Sequence, residues 1–284
     1  MQSLRELKRR IVAATETEKM TSTMKLVAAA HLRRAEEAVL GGREYAREIH
    51  RSVQRISRHL GTKAPAMWKR SVDIASFDTI VLTSDRGFCG SFNDDVIDFV
   101  EKNILEYSEH NLNVTLFIEG QKGLNYFKKT GFNVVEIPTF QNIEEKVRWI
   151  VNAVILKYLS GESSGSYICF NKYVSASQRK VTTWDLLPLY TQGKKEEKAV
   201  GYKFEPEPDL ALDFFAAQML MSTVRQALFE SHAAELSARI IAMTGACKNA
   251  EDMISHLTAL YNKARQENIT SELMDVIFGA EIMR

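Results

Sequence analysis

The residues best placed to do chemistry lie in Ser84-Asp85-Arg86-Gly87-Phe88-Cys89-Gly90-Ser91, directly after the apolar run Thr79-Ile80-Val81-Leu82-Thr83. A turn from strand to helix presents backbone amides that suit an anion. A cysteine near an arginine could hold a lowered pKa. The same pattern equally fits a tight structural turn around a buried thiol, or a surface that meets another protein. No phosphate loop, G-x-x-x-x-G-K-[ST], occurs, and no G-x-G-x-x-G follows a strand, so a nucleotide-binding enzyme lacks its main device. The six histidines show no metal-ligand spacing, and no G-x-S-x-G elbow is present. His232 and His256 fall in a long helical segment where solvated or packed roles are expected. Glu36-Glu37 and Glu196-Glu197 are adjacent pairs that read as solvated faces. With no catalytic constellation assembled, the residues point to a mechanical or scaffolding protein with no cofactor and no metal.

The elements that must position these residues are marked by proline. All five prolines (Pro65, Pro138, Pro188, Pro206, Pro208) fall between residues 65 and 208, leaving both flanks free of a residue that costs about 3 kcal/mol in a helix interior. The spacing predicts one helix from a cap at Ser3 to Gly61 and another from a cap at Asp209 to Arg284. The expected organisation is an N-terminal shaft helix at 1–62, a central domain at 63–208 and a C-terminal shaft helix at 209–284. In the last of these, Leu236, Ile240, Met243, Cys247, Ala250, Ile254, Leu257, Tyr261 and Ala264 alternate spacings of four and three, a coiled-coil seam. The first helix answers with Leu4, Leu7, Ile11, Ala14, then Met20, Met24, Val27, and later Ile49, Val53, Ile56 and Leu60. Gly41-Gly42 is expected to loosen or bend it. Residues 1–60 hold 13 Lys/Arg against 7 Asp/Glu, and residues 209–284 hold 6 against 10, so the two helices have opposite net charge. An acidic partner in the same chain, and the lack of interleaved aromatics, argue against nucleic-acid binding by the basic helix.

The middle alternates strands (79–83, 113–118, 132–137, 167–170, 181–187) with helices (93–109, 121–130, 143–159), which predicts a Rossmann-like α/β sheet covered on both faces. Gly161 to Ser166 and Gln192 to Glu197 read as polar loops. The fold class is thus α/β, a long antiparallel coiled coil of the terminal helices plus a central α/β domain. A net charge of +1 implies no overall pull toward nucleic acid or membrane. No apolar run approaches the roughly 18 residues of a bilayer span, so no membrane insertion is expected. The charged start of the sequence carries no apolar signal core, and the fold is expected to begin at residue 1. Cys89, Cys169 and Cys247 are odd in number and widely spaced, as in a reduced, cytoplasm-facing protein.

Several local patterns resemble the γ subunit of F-type ATP synthases. They are Met24-Lys25-Leu26-Val27-Ala28-Ala29-Ala30-His31-Leu32-Arg33-Arg34-Ala35 in the first helix, Ser84 to Gly90 in the central domain, and Lys248-Asn249-Ala250 in the last helix. Leu257-Thr258-Ala259-Leu260-Tyr261-Asn262-Lys263-Ala264-Arg265-Gln266 and the closing Gly279-Ala280-Glu281 match as well. His31 stands where the family usually has lysine, Ser91 where glycine is common, and Gly245 and Cys247 depart from the usual Asn-Ala-Thr. Gly245 is expected to soften the helix by about 1 kcal/mol relative to alanine.

The resemblance implies a non-catalytic rotor whose paired helices penetrate a ring of α and β subunits, and whose lower end meets ε and the membrane c-ring. It implies β-subunit contacts at Arg265, Gln266, Thr270, Glu272, Met24 and Lys25. For Ser84, Asp85, Arg86, Gly87, Cys89 and Gly90 it implies a structural turn or partner surface. The apolar tail (Ile269, Leu273, Val276, Ile277, Phe278, Ala280, Ile282, Met283) fits a bearing in an apolar sleeve, or packing against the first helix. The place implied is the cytoplasmic face of a bacterial inner membrane, peripherally. A freestanding coiled-coil adaptor would share the helices without needing these motifs.

Overall fold

The computed structural model describes residues 3–60, 66–68, 76–109, 112–189 and 208–282. Pro65, Pro206, the 192–197 loop and the side chains of Ile56, Leu60, Asp209 and residues 279–284 lie outside what is described. Two compact units emerge: Met1–Ala29 with Arg239–Arg284, and Ala30–Ala238. Helix α1 (Leu4–Leu60) and helix α5 (Pro208–Ile282) each contribute to both.

In the first unit, Ser3 caps α1 as expected, accepting from the Glu6 amide at 3.2 Å through Oγ. The seam of α5 is as the spacing predicts: Met243, Cys247, Ala250 and Leu257 are buried, and Ile254, Tyr261 and Ala264 are half-buried. The facing seam of α1 corrects the expectation after Ala14, because Met20 and Val27 are half exposed at 53% and 52%. A strict alternation of three and four instead continues through Glu18, Thr21, Lys25 and Ala28, with Thr21 and Ala28 buried. Large apolar side chains favour the other register, whereas the buried positions here carry the small Thr21 and Ala28. Thr21 Oγ1 lies 3.1 Å from Cys247 Sγ, and a groove near the other end is lined by Leu4, Leu7, Leu260 and Ala264. As α1 numbering falls from 21 to 4, α5 numbering rises from 247 to 264, so the pair is antiparallel.

The second unit is built on a five-stranded sheet of order β3-β2-β1-β4-β5. Strands β1 (Ser76–Leu82), β2 (Asn113–Glu119), β3 (Asn133–Glu136) and β4 (Gly165–Ser175) run parallel, and β5 (Gln178–Leu187) pairs antiparallel with β4. Helices α2 (Phe92–Glu109), α3 (Gln121–Phe127) and α4 (Ile143–Leu159) fall where the pattern predicts. Alternate residues of each strand point to opposite faces. Val81, Leu116, Ile118 and Cys169 pack on α2 and α3. Ile80, Leu82, Phe117, Ile168 and Phe170 pack on α4 and on α5 itself, through Ala216, Leu220, Val224 and Ala227.

The shaft helix is therefore also core of the α/β domain, which explains why residues 215–238 of α5 carry apolar residues all round. Helix α5 begins at Pro208, a residue suited to a first helical position, two residues earlier than a cap at Asp209 would start it. Strands β4 and β5 are longer than their apolar runs, forming a hairpin that turns at Ala176-Ser177. Its outer half carries polar residues because it bonds to helices rather than filling the core. Helix α1 continues unbroken through Gly41-Gly42. A Cβ at Gly42 would lie 2.1 Å from Gln226 Oε1, so this glycine permits close approach to α5 rather than a bend. Among the described residues no helix is long and apolar enough to cross a membrane.

Candidate functional sites on the paired helices and the strand-to-helix turn

The antiparallel seam dictates which residues of the first unit are left exposed. Arg265, Gln266, Thr270 and Glu272 are all exposed on α5. Thr270 Oγ1 donates to the Gln266 carbonyl at 2.9 Å, a bond within the helix that leaves the Gln266 side chain facing out. Beyond Ala264 every described side chain of α5 through Phe278 is exposed, including Ile269 at 53%, Leu273 at 58% and Val276 at 71%. Packing against α1 therefore does not account for the apolar tail, because the tail runs past the residues that face Leu4 and Leu7. Met24 and Lys25 are half-buried on α1, Lys25 at a seam position. They lie about 20 residues, on the order of 30 Å along the helix, from the Leu4 level that Ala264 faces. The six residues thus form two stations on the shaft, not one cluster.

In the turn after β1, the side chains divide into an inner and an outer set. Ser84 N–H donates to Asn93 Oδ1 at 2.9 Å, and Asn93 Nδ2 donates to Ser84 Oγ at 2.9 Å. Cys89, 1% exposed, sits with Sγ 3.4 Å from Asn93 Nδ2 and 3.6 Å from Ser84 Oγ. The thiol meets hydrogen-bonding groups of the turn rather than the Arg86 guanidinium, which is exposed. Phe88 and Gly90 take φ of 64° and 58°, which turns the chain sharply and leaves Phe88 62% exposed. Asp94 and Asp95 occupy the first turn of α2, so its positive end already faces carboxylates. Asp85 reaches the other way, accepting from the Gln121 amide at 3.2 Å. Gly120 is required beside it: its φ is +95° and a Cβ would lie 2.4 Å from the Thr83 carbonyl.

A cleft of about 420 Å³ opens at the carboxyl ends of β1 and β2, lined by Asp85, Arg86, Glu119, Lys146, His232 and Glu235 among others. Lys146 Nζ lies 2.5 Å from Glu119, whose pKa burial nevertheless pushes up. The mixed charge offers no single-sign cradle for a phosphate. Among the described residues no group of three or more His, Cys, Asp or Glu could hold a metal. Burial pushes the Cys169 thiol up to about 12, which keeps it a neutral core residue.

One constellation escaped the sequence reading. Glu230, fully buried on α5, accepts from Arg43 Nε at 2.7 Å and from the Tyr173 amide at 3.1 Å. The hydrogen bond to Glu230 holds the Arg43 guanidinium above its usual value. The available signal was a lone acid inside Ala227-Leu228-Phe229-Glu230-Ser231, on a helix stretch apolar all round.

Long paired helices, exposed residues beyond their seam and a self-bonded turn define a class by fold: an antiparallel helical pair together with an α/β domain. The family model described as ATP synthase matches residues 3–283. The chain belongs to this ATP synthase family. Similar proteins include the ATP synthase gamma chain of Aquifex aeolicus (strain VF5), 35% identical over 295 residues and covering 99% of this chain and 98% of that one. That of Pelotomaculum thermopropionicum is 34% identical over 287 residues, covering 99% of each. Among solved structures, a chain of the Euglena gracilis mitochondrial ATP synthase, titled OSCP/F1/c-ring in rotational state 3, has a TM-score of 0.63 at 18% identity, over 99% of this chain and 94% of that one. A chain of the Tetrahymena thermophila central stalk/c-ring structure has a TM-score of 0.59 at 22% identity, over 80% of this chain and 99% of that one. At these identities the two structures speak to the fold alone.

Proposed function

We propose that this chain is the central-stalk rotor subunit of an F-type ATP synthase, carrying rotation of a membrane c-ring to the catalytic β subunits. The observation that carries this is the antiparallel pair of the first unit. Its seam buries Leu7, Ala14, Thr21 and Ala28 together with Met243, Cys247, Ala250 and Leu257, while the motif-bearing residues Arg265, Gln266, Thr270 and Glu272 stand exposed beyond it. The protein acts without a catalytic group of its own. An asymmetric shaft offers each β subunit a different face, and differential contacts bias each toward a different conformation. Rotation then moves every site through binding, synthesis and release.

Arg265 and Gln266, with Thr270 and Glu272 a turn or more further on, bond a β loop at one station. Met24 and Lys25 lie near β at the other. The exposed apolar tail turns in a sleeve formed by the α and β subunits. In functional terms residues 1–62 and 209–284 are shaft and 63–208 are platform, with ε and the c-ring binding the platform and lower shaft. Ser84 and Cys89 are structural, and Asp85, Arg86, Gly87 and Gly90 form partner surface. The assembly sits at the cytoplasmic face of a bacterial inner membrane, to which this subunit is peripheral.

Reconstitution with α and β subunits tests the proposal. A complex hydrolysing ATP at multisite rates is expected, while the chain alone shows no ATPase activity. Failure to form such a complex would overturn the rotor role.

A further inference from the structure

The β4–β5 hairpin is held from two sides within the second unit. From the helices, Glu230 accepts from both Arg43 Nε at 2.7 Å and Arg43 Nη2 at 2.9 Å. The same carboxylate accepts from the Tyr173 amide at 3.1 Å and from Gln226 Nε2 at 3.0 Å, and Gln226 also donates to the Val39 carbonyl at 3.1 Å. Arg43 donates to the Tyr173 carbonyl at 2.8 Å, the Tyr173 hydroxyl donates to Glu36, and Ser237 Oγ donates to the Ala176 carbonyl at 2.7 Å. From the domain side, Arg179 donates to Ser91 Oγ at 2.8 Å and to Asp95 at 2.9 Å. Asn171 Nδ2 donates to the Phe92 carbonyl at 2.7 Å. One hairpin therefore bonds α1 and α5 on one side and the start of α2 on the other.

Apolar packing is non-directional and resists separation better than sliding. Bidentate charge-assisted hydrogen bonds fix register and orientation. The chemistry at Glu230 is that of a key rather than of a glue. We propose that Glu230, bonded to Arg43 and Tyr173, keys the helices to the α/β domain, making the β4–β5 hairpin the strut through which torque passes between them. This rests on the rotor role proposed above. A carboxylate buried on a helix that could carry a leucine there trades ease of burial for a fixed register.

The test is the complete ATP synthase in sealed vesicles, comparing ATP-driven ion pumping with ATP hydrolysis as the opposing ion gradient is raised. With Glu230→Gln, hydrolysis is expected to stay within about two-fold of the unsubstituted protein, a change of about 0.4 kcal/mol or less in the barrier. Ions pumped per ATP should fall several-fold, increasingly so at high opposing gradient, because the torque on the key grows with load. Arg47→Ala, which breaks only the exposed pair with Glu44, should leave the ratio unchanged. A purely stabilising role would lower the yield of complex while keeping ions per ATP constant at every load, and that result would overturn the proposal. Should Glu230→Gln fail to assemble, Glu36→Gln at a half-buried position carries the same test with a smaller expected loss. A constant ratio there overturns the proposal equally. If the unsubstituted chain itself fails to pump, it is the rotor role that falls.

Discussion

Arg265 and Gln266 are polar residues that directly follow the seam position Ala264, and both are exposed. As the β-subunit contacts proposed above, they would contribute hydrogen bonds each worth ~0.5–1.5 kcal/mol. Replacing both by alanine is expected to lower ATP turnover of the reconstituted complex roughly ten-fold with the helicity of the chain retained by circular dichroism. Unchanged turnover would remove the β-contact assignment. Tyr173 carries a second prediction at this scale. Burial first, and the hydrogen bond to Glu36 second, push its phenol up to about 12 from 10.0. A raised folded-state pKa contributes stability that is complete below the unfolded value and is lost as pH rises through the folded one. The stability difference between the unsubstituted protein and Tyr173→Phe should therefore shrink between pH 10 and 12. Urea midpoints across that range check the sign.

Along α1 and α5, two glycines look alike in sequence and differ in surroundings. Gly245 has nothing within 4 Å of a would-be Cβ and lies on the exposed face of α5. Gly245→Ala should raise stability by about 0.5–1 kcal/mol through helix propensity alone. Gly42→Ala should instead lower it by about 1–3 kcal/mol, the range for overpacking. The new methyl would displace Gln226, which is bonded to Val39 and Glu230. Denaturant midpoints of the two variants should move in opposite directions. The seam of α1 makes the same point: spacing alone located Leu7, Ile11 and Ala14. The choice between Met20 and Thr21 was decided by how closely α5 approaches at Cys247.

At the scale of the molecule, the two units differ in what holds them. The sheet buries large side chains on both faces, with Phe92, Phe127, Phe170 and Ile80 under 2% exposed. The paired helices bury mainly Ala, Leu, Thr and Cys in a single seam. Local opening should follow that contrast. Hydrogen exchange in residues 4–29 and 239–278 is expected to be faster than in β1, β2 and β4 of the isolated chain, and uniform protection across both would contradict it.

What the sequence by itself determined is everything that depends on local chemistry and period. Proline placement set the two long helices, and strand and helix periods set the succession of elements in the central domain. What only the tertiary structure decided depends on partners far along the chain. Residues 215–238 of α5 became the core of the α/β domain, the α1 seam moved from Met20 to Thr21, and Glu230 met Arg43, 187 residues away. Periodicity reports which face of an element is apolar. It carries no information on which distant backbone will come close enough to demand a glycine, a threonine or a buried charge.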